Sequence, residues 1–213
     1  MVSHEEQVAG VACAVPPVLH VGSGKQFHPD WLNLDVDPRW GPDVVFDLNR
    51  PLPRGELAVH TKRFGPVLLG PETFAEIVAQ DVLEHIRDLT TAMTTLLGWL
   101  RDGGVFKIAV PYDLSLGAWS DPTHLRAFNE RSFEYYTNWA WYLGWRTHHF
   151  RLLRMDFVTN EYGQKLVAEG KTLAEVARTP RAVDQLYVEL VKQPMSEAAR
   201  AMIARLDERI PGR

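Results

Sequence analysis

The sequence predicts an α/β domain built on a doubly wound, mostly parallel, seven-stranded sheet with helices on both faces. Three observations predict this fold. Seven apolar segments of strand length are spread along the chain. The first runs directly into Gly22-Ser23-Gly24, a glycine turn that lets the backbone approach a ligand at a strand end. A helical segment stops at Gly103-Gly104 and is followed by another buried strand.

The strand candidates are rich in β-branched and aromatic residues and are bounded by turn residues. They cover residues 18–22, 31–35, 44–47, 74–80, 105–110, 146–157 and 184–192. Only residues 25–30 separate the glycine turn from the second strand. A parallel crossover with a helix needs about a dozen residues, so we expect the first crossover to be a bare loop.

The helices are assigned by apolar spacing. Residues 88–101 place five apolar side chains on one stripe, which is typical of a helix packed on a sheet. An aromatic segment over 132–145 and a polar segment over 160–178 are also expected to be helical. The residues near the end of the chain, 195–209, are strong helix formers.

These elements suggest one domain with small additions. We expect an N-terminal arm over 1–17, an α/β domain over 18–194 and a C-terminal helix within 195–213. Inside the domain, residues 54–73 are expected to form an inserted hairpin or flap, and 112–145 a cap on the substrate side.

Composition narrows the class of protein. The chain has 213 residues, a net charge of −4 and no basic block, so we expect no nucleic-acid partner. No apolar run reaches the roughly 18 residues of a membrane span, and we expect a cytoplasmic protein without a membrane partner. A single cysteine, Cys13, rules out an internal disulfide or a cysteine-based metal cluster.

The second strand ends in an acidic residue, which indicates what kind of ligand the glycine turn could bind. Asp35 ends Trp-Leu-Asn-Leu-Asp, where a carboxylate can accept hydrogen bonds from a ribose diol. The third glycine of a dinucleotide-binding turn is replaced by Phe27. The pattern therefore favours a ligand with one nucleoside over a nicotinamide dinucleotide; an ordinary glycine turn without a ligand is the alternative.

Four segments in order within residues 18–111 carry a resemblance to a known family. They read Leu-His-Val-Gly-Ser-Gly, Trp-Leu-Asn-Leu-Asp, Gln-Asp-Val-Leu-Glu-His-Ile and Leu-Arg-Asp-Gly-Gly-Val-Phe-Lys-Ile-Ala-Val-Pro. Together they resemble the class I S-adenosylmethionine-dependent methyltransferases, most closely a compact subgroup with a shortened first crossover. The resemblance covers about half of the chain and implies a Rossmann-like fold with S-adenosylmethionine as cofactor.

The resemblance also implies which residues contact the cofactor. Gly22 and Gly24 would lie against its methionine part, with Ser23 offering a backbone amide. Asp35 would accept hydrogen bonds from the ribose hydroxyls. The other expected contacts are Val36 and Leu48 at the adenine ring, Asp47 at its exocyclic amine, and Gln80 and Asp81 at the end of the fourth strand.

The catalytic candidates lie after the fourth and fifth strands. In Asp121-Pro-Thr-His124 the carboxylate could orient the imidazole as a general base; the alternative is a turn cap and a surface histidine. We expect His85 to lie on the substrate side and Glu84 to cap or ion-pair the following helix. A metal site formed by His85, Asp121 and His124 is chemically possible, but the spacing is not a known ligand signature, so we expect no metal.

The resulting functional hypothesis is an S-adenosylmethionine-dependent methyltransferase. We expect O- or N-methylation of a small-molecule acceptor, with secondary metabolism as one setting for the reaction. A homodimer is one expected assembly. The alternative is a catalytically inactive relative that serves as a binding or regulatory subunit. It is motivated by His20, which stands two residues before the first glycine, where the family usually has an acid.

Overall fold

A computed structural model describes residues 15–51 and 55–209 of the chain. Most of the expected N-terminal arm, residues 1–14, lies outside the described residues. The same holds for residue 54 of the expected hairpin insertion and for residues 210–213 at the end of the chain.

In the described part of the chain, six strands precede the first α-helix, and the later strands alternate with helices. The strands are β1 Val18–Val21, β2 Leu32–Asp35, β3 Val44–Val45, β4 Leu57–Thr61, β5 Gly65–Leu69, β6 Phe74–Gln80, β7 Leu100–Pro111, β8 His148–Thr159 and β9 Val183–Pro194. The helices are α1 Leu89–Trp99, α2 Gly117–Ser120, α3 Glu161–Ala168, α4 Leu173–Ala177 and α5 Glu197–Arg209. Short 3-10 turns cover Pro38–Trp40, Leu83–His85, Glu134–Tyr136 and Ala140–Leu143.

Seven of the strands form one sheet, which confirms the predicted fold class. Its order is β3-β2-β1-β6-β7-β9-β8. The pairs from β3 to β7 are parallel, whereas β9 runs antiparallel to both β7 and β8. The order reverses between β1 and β6, and in open α/β sheets ligands bind beside such a switch point.

The first crossover is a loop. Leu19 of β1 pairs with Leu32 of β2 in parallel, and the connection over 22–31, all of it described, contains turns and no helix. Strands β4 and β5 form a separate antiparallel hairpin. From the turn of this hairpin, Arg63 donates hydrogen bonds to the carbonyls of Pro29 and Trp31 in the crossover loop.

The two faces of the sheet differ in burial. Ile77 of β6 and Phe106 of β7 are fully buried and share one hydrophobic core with the buried face of α1. On the opposite face Glu76, Lys107 and Tyr187 are half-buried, and Glu76 pairs with Lys107 at 2.6 Å. From the sequence we expect helices to cover both faces of the sheet. This face is instead partly open to solvent along these strands, because the first crossover contributes a loop and not a helix.

Two segments that we expect to be continuous helices are interrupted. In 132–145 the backbone leaves the helical region at Thr137 (φ −112°, ψ −92°), so two 3-10 turns form. In 160–178, Gly170 adopts φ +93° and Thr172 starts α4 with a capping box closed by Glu175. Among the described residues, none of the helices combines the length and hydropathy of a membrane span.

Candidate active site

A cavity of about 450 Å³ opens at the switch point of the sheet, beside the carboxyl ends of β1, β2 and β6. Its walls combine carboxylates with apolar and aromatic side chains, which is typical of nucleoside sites. It is lined by Val21, Gly22, Leu34, Asp35, Val36, Trp40, Phe46, Asp47, Leu48, Asn49, Asp81, Val82, His85 and Ile86. We call it the strand-end pocket.

Asp35 is a buried carboxylate of the strand-end pocket that two backbone amides hold in place. One carboxylate oxygen, Oδ2, accepts a hydrogen bond from the Gly24 amide at 2.8 Å, and Oδ1 accepts one from the Asp37 amide at 2.8 Å. The residue is 7% exposed. Because two backbone donors hold the carboxylate, its orientation is fixed, and each oxygen keeps a further lone pair for a ligand.

The glycine turn meets only part of our expectation. Gly22 lines the strand-end pocket at φ +62°, and a Cβ there would lie 2.2 Å from Cγ2 of Val82, so packing as well as backbone conformation requires glycine. The Ser23 amide donates to the Leu34 carbonyl at 3.1 Å, so our expectation that it faces the cofactor is wrong. The Gly24 amide is likewise taken, by Asp35, and neither Ser23 nor Gly24 lines the pocket.

The other expected cofactor residues divide into two groups. Val36, Asp47, Leu48 and Asp81 all line the strand-end pocket, and Asp47 accepts two hydrogen bonds from Asn49 through Oδ1 alone. Gln80 does not line it. Successive strand residues point to opposite faces, and Gln80 lines a second cavity on the half-open face of the sheet instead.

Trp40 is the most prominent pocket residue that the sequence did not single out. It ends the 3-10 turn after β2 and is 51% exposed although it is a large aromatic residue. Asp37 starts this turn by accepting from the Arg39 amide. The usable signal was a tryptophan within a few residues of a strand-end acid. The other lining residues that the sequence did not single out are Val21, Leu34, Phe46, Asn49, Val82 and Ile86.

Three titratable side chains, which we call the Glu-His-His cluster, meet beside the strand-end pocket: Glu84, His85 and His124. A hydrogen bond from the Leu125 amide to the Glu84 carbonyl, 2.9 Å long, fastens the loop after β7 against the turn after β6. His124 Nε2 then lies 3.9 Å from Glu84 Oε1. The two imidazole rings meet edge to face with centroids 4.7 Å apart, and His85 also lines the pocket.

Glu84 corrects the sequence-based expectation. It is 1% exposed, and neither carboxylate oxygen has a hydrogen-bond partner among the described residues. Burial raises the pKa of Glu84 to about 7. We expected it to cap or ion-pair the next helix, but Asp88 caps α1 by accepting from the Thr91 amide.

Asp121 does not orient His124 in the expected way. Its Oδ1 accepts from the amide and the hydroxyl of Thr123, and these hydrogen bonds hold the pKa of Asp121 below its usual value. His124 Nδ1 lies 2.9 Å from the Ala118 carbonyl, which orients the ring instead. Asp121 Oδ2 is 4.0 Å from His124 Nε2, the opposite ring nitrogen. The general-base role of His124 stays a prediction.

The similarity of this chain to known proteins lies in its fold. No protein-family model and no curated protein sequence matches the chain. A methyltransferase described as S-adenosylmethionine-dependent, from Archaeoglobus fulgidus, matches in structure with a TM-score of 0.50 and 15% identity over 85% of this chain and 88% of its own. The chain has the class I S-adenosylmethionine-dependent methyltransferase fold.

Two further structures share this methyltransferase fold. In a complex of the Haloferax volcanii Trm112 methyltransferase activator with a protein described as a methyltransferase, the match has a TM-score of 0.52 and 14% identity over 84% of this chain and 83% of the other. The [4+2]-cyclase SpnF matches with a TM-score of 0.50 and 13% identity over 86% of this chain and 76% of its own.

These matches correct the expected partners. A small-molecule acceptor without protein or nucleic-acid partners does not follow from this fold. One match is a complex with an activator protein. The expected partner set, a small-molecule acceptor with nucleic acid excluded on the net charge and the lack of a basic block, was therefore wrong.

Proposed function

We propose that the chain is an S-adenosylmethionine-dependent methyltransferase that binds its cofactor in the strand-end pocket. The observation that carries this proposal is the Asp35 carboxylate, fixed by the Gly24 and Asp37 amides at the switch point of the sheet. A ribose diol needs an acceptor in a defined orientation, and Asp35 offers one without reorganisation.

The side chains around Asp35 fit the rest of the cofactor. Trp40 and Phe46 provide apolar surface of the size of an adenine ring, and Asp47 has one carboxylate oxygen that accepts no hydrogen bond among the described residues. When bound, S-adenosylmethionine supplies an electrophilic methyl group on its sulfonium. The residues of this chain would hold and orient it, and positioning is the main contribution that such a transfer requires.

His20 is the observation behind the alternative, a non-catalytic binding subunit. Its buried imidazole stands where the resembling family has an acid, and its Nδ1 has no partner among the described residues. Asp35, however, already accepts from the Gly24 amide and thereby holds the glycine turn. This contact supports cofactor binding in spite of the change at His20.

Isothermal titration with S-adenosylmethionine tests the proposal. We expect Asp35→Ala to weaken binding by about 1–3 kcal/mol, because a hydrogen bond to a charged group is lost. Asp30→Ala removes an exposed carboxylate of the crossover loop that does not line the pocket, so it is the matched control and should bind normally. Absence of binding by the unmodified protein would overturn the proposal; normal binding by Asp35→Ala would place the ribose elsewhere.

A further inference from the structure

The Glu-His-His cluster has the composition and spacing of a metal site. Glu84, His85 and His124 each offer one ligand atom, and these atoms all lie within 4.8 Å of one another. Three donors at this spacing can converge on one ion after small side-chain movements, because ligand-to-metal distances in such sites are about 2.0–2.2 Å.

Hydrogen bonding fixes the tautomer of His124. Its Nδ1 lies 2.9 Å from the Ala118 carbonyl. A carbonyl oxygen can only accept, so Nδ1 carries the proton and Nε2 keeps its lone pair. The side chain is 8% exposed, and Nε2 faces Glu84.

His85 is held in the same tautomer by a chain of hydrogen bonds. The Thr123 hydroxyl donates its one proton to Asp121 Oδ1 at 2.6 Å. In its contact of 3.0 Å with His85 Nδ1, that hydroxyl must therefore accept. His85 Nδ1 is then the donor, and Nε2 again keeps a lone pair. Both imidazoles thus keep a lone pair on Nε2, the nitrogen through which we expect them to bind.

Glu84 completes the donor set. Its carboxylate is buried, and both oxygens lack a hydrogen-bond partner among the described residues. A buried carboxylate without a partner is costly. A cation held between Glu84 and the two imidazoles would supply the partner that the Glu84 carboxylate lacks.

We propose that Glu84, His85 and His124 bind one divalent transition-metal ion of the zinc class. Two imidazole nitrogens and one carboxylate are a donor set that suits zinc. The hydrogen bonds from Nδ1 to Ala118 and Thr123 are the outer contacts that orient ligating histidines. Asp121, whose Oδ2 lies 4.0 Å from His124 Nε2, or a water molecule would take the fourth position.

The metal site goes beyond the proposed function, since the ion would bind in the absence of S-adenosylmethionine. It also changes the role of His124. A bound ion takes the Nε2 lone pair that a general base would need, so the two roles of this nitrogen exclude each other.

Cobalt(II) is a suitable probe, because its visible absorption reports four- or five-coordinate binding that zinc does not show directly. The full chain, treated with a chelator and then dialysed, is titrated with cobalt chloride. We expect an absorption band that saturates at one ion per chain and disappears when zinc is added. If the unmodified protein gives no such band, the metal site is overturned.

Variants assign the band to the cluster. Glu84→Gln and His124→Gln should each weaken cobalt binding at least tenfold. His148→Gln is the matched control, because His148 lies 3.1 Å from the Asp102 carboxylate without belonging to the cluster. Thermal unfolding shows whether each variant is folded, and zinc should raise the midpoint of the unmodified protein and of His148→Gln, but not that of Glu84→Gln or His124→Gln. A band of normal affinity in folded Glu84→Gln would contradict the assignment; titration with S-adenosylmethionine alongside tests the cofactor pocket separately.

Discussion

At the scale of single residues, His20 places a titratable imidazole inside the sheet, at a position where the resembling family usually has an acid. The imidazole is 4% exposed and packs edge-on against Trp31 with ring centroids 5.5 Å apart. Burial is the largest influence on its pKa and lowers it, although a hydrogen bond with Asn33 acts in the opposite direction. Of the nearby charges, His28 lowers the pKa further and Asp35 raises it.

This pKa shift predicts how stability depends on pH. The unfolded chain protonates His20 near its ordinary value of about 6.5, whereas the folded chain keeps it neutral to lower pH. The contribution of His20 therefore makes the folded state less stable as the pH falls through that value, whereas the raised pKa of Glu84 acts in the opposite direction. In urea unfolding at pH 7.5 and 5.5, we expect the loss to be smaller in His20→Phe than in the unmodified protein. The exposed His60 provides the control His60→Gln, and equal losses in all three proteins would contradict the prediction.

At the scale of elements, the β4–β5 hairpin stabilises the loop that replaces the first crossover helix. Arg63, in the hairpin turn, forms two hydrogen bonds of 2.7 Å with the Asp43 carboxylate, whose side chain is 3% exposed. Burial acts to raise the pKa of Asp43, but the hydrogen bonds from Arg63 and Asn33 prevail and hold it below its usual value. The guanidinium also lies over the rings of Phe27 and Phe64.

Removing this guanidinium should destabilise the fold. We expect Arg63→Ala to lower the free energy of unfolding by about 1.5–3 kcal/mol, because the buried Asp43 loses a charged partner. Arg63→Lys should recover only part of the lost free energy of unfolding, since lysine cannot form the bidentate contact. Urea unfolding measures both. Arg39→Ala is the control: it breaks an ion pair with Asp37 in which the arginine side chain is 87% exposed, so it should change the free energy of unfolding little. An equal effect of Arg39→Ala and Arg63→Ala would contradict a stabilising role of the contact between Arg63 and Asp43.

How much the sequence predicted depends on how local the deciding contacts are. The strands were found because their apolar patterns are local, and Asp35 and Asp47 because acids at strand ends share one edge of a parallel sheet. Glu84 was misjudged because its burial depends on the loop that carries Leu125, far along the chain. The Ser23 amide was misjudged because its acceptor, Leu34, is decided by how the crossover loop closes.

At the scale of the whole molecule, cofactor binding and folding stability are linked. A ligand that binds only the folded state at a hundredfold excess over its dissociation constant adds about 2.7 kcal/mol to the free energy of unfolding. We expect this increase with S-adenosylmethionine, and a smaller one for Asp35→Ala at the same concentration. Urea unfolding with and without the compound measures it, and an unchanged midpoint at saturation would show that the unfolded chain binds equally well or that the pocket binds nothing.

The loop between β1 and β2 also bears on how the chain reaches its native state. Leu19 pairs with Leu32 on one side and with Ile77 on the other. Closing a chain segment costs more entropy as it lengthens, so the pairing with Leu32 is the less costly of the two. In most doubly wound domains a helix connects the first two strands. Here a short loop connects two parallel strands, so the strand pairs at the side of the sheet that carries Asp35 have a short sequence separation and a low contact order. The part of the sheet that carries Asp35 can therefore assemble from neighbouring sequence, ahead of the long-range pairing of β1 with β6 that completes the strand-end pocket.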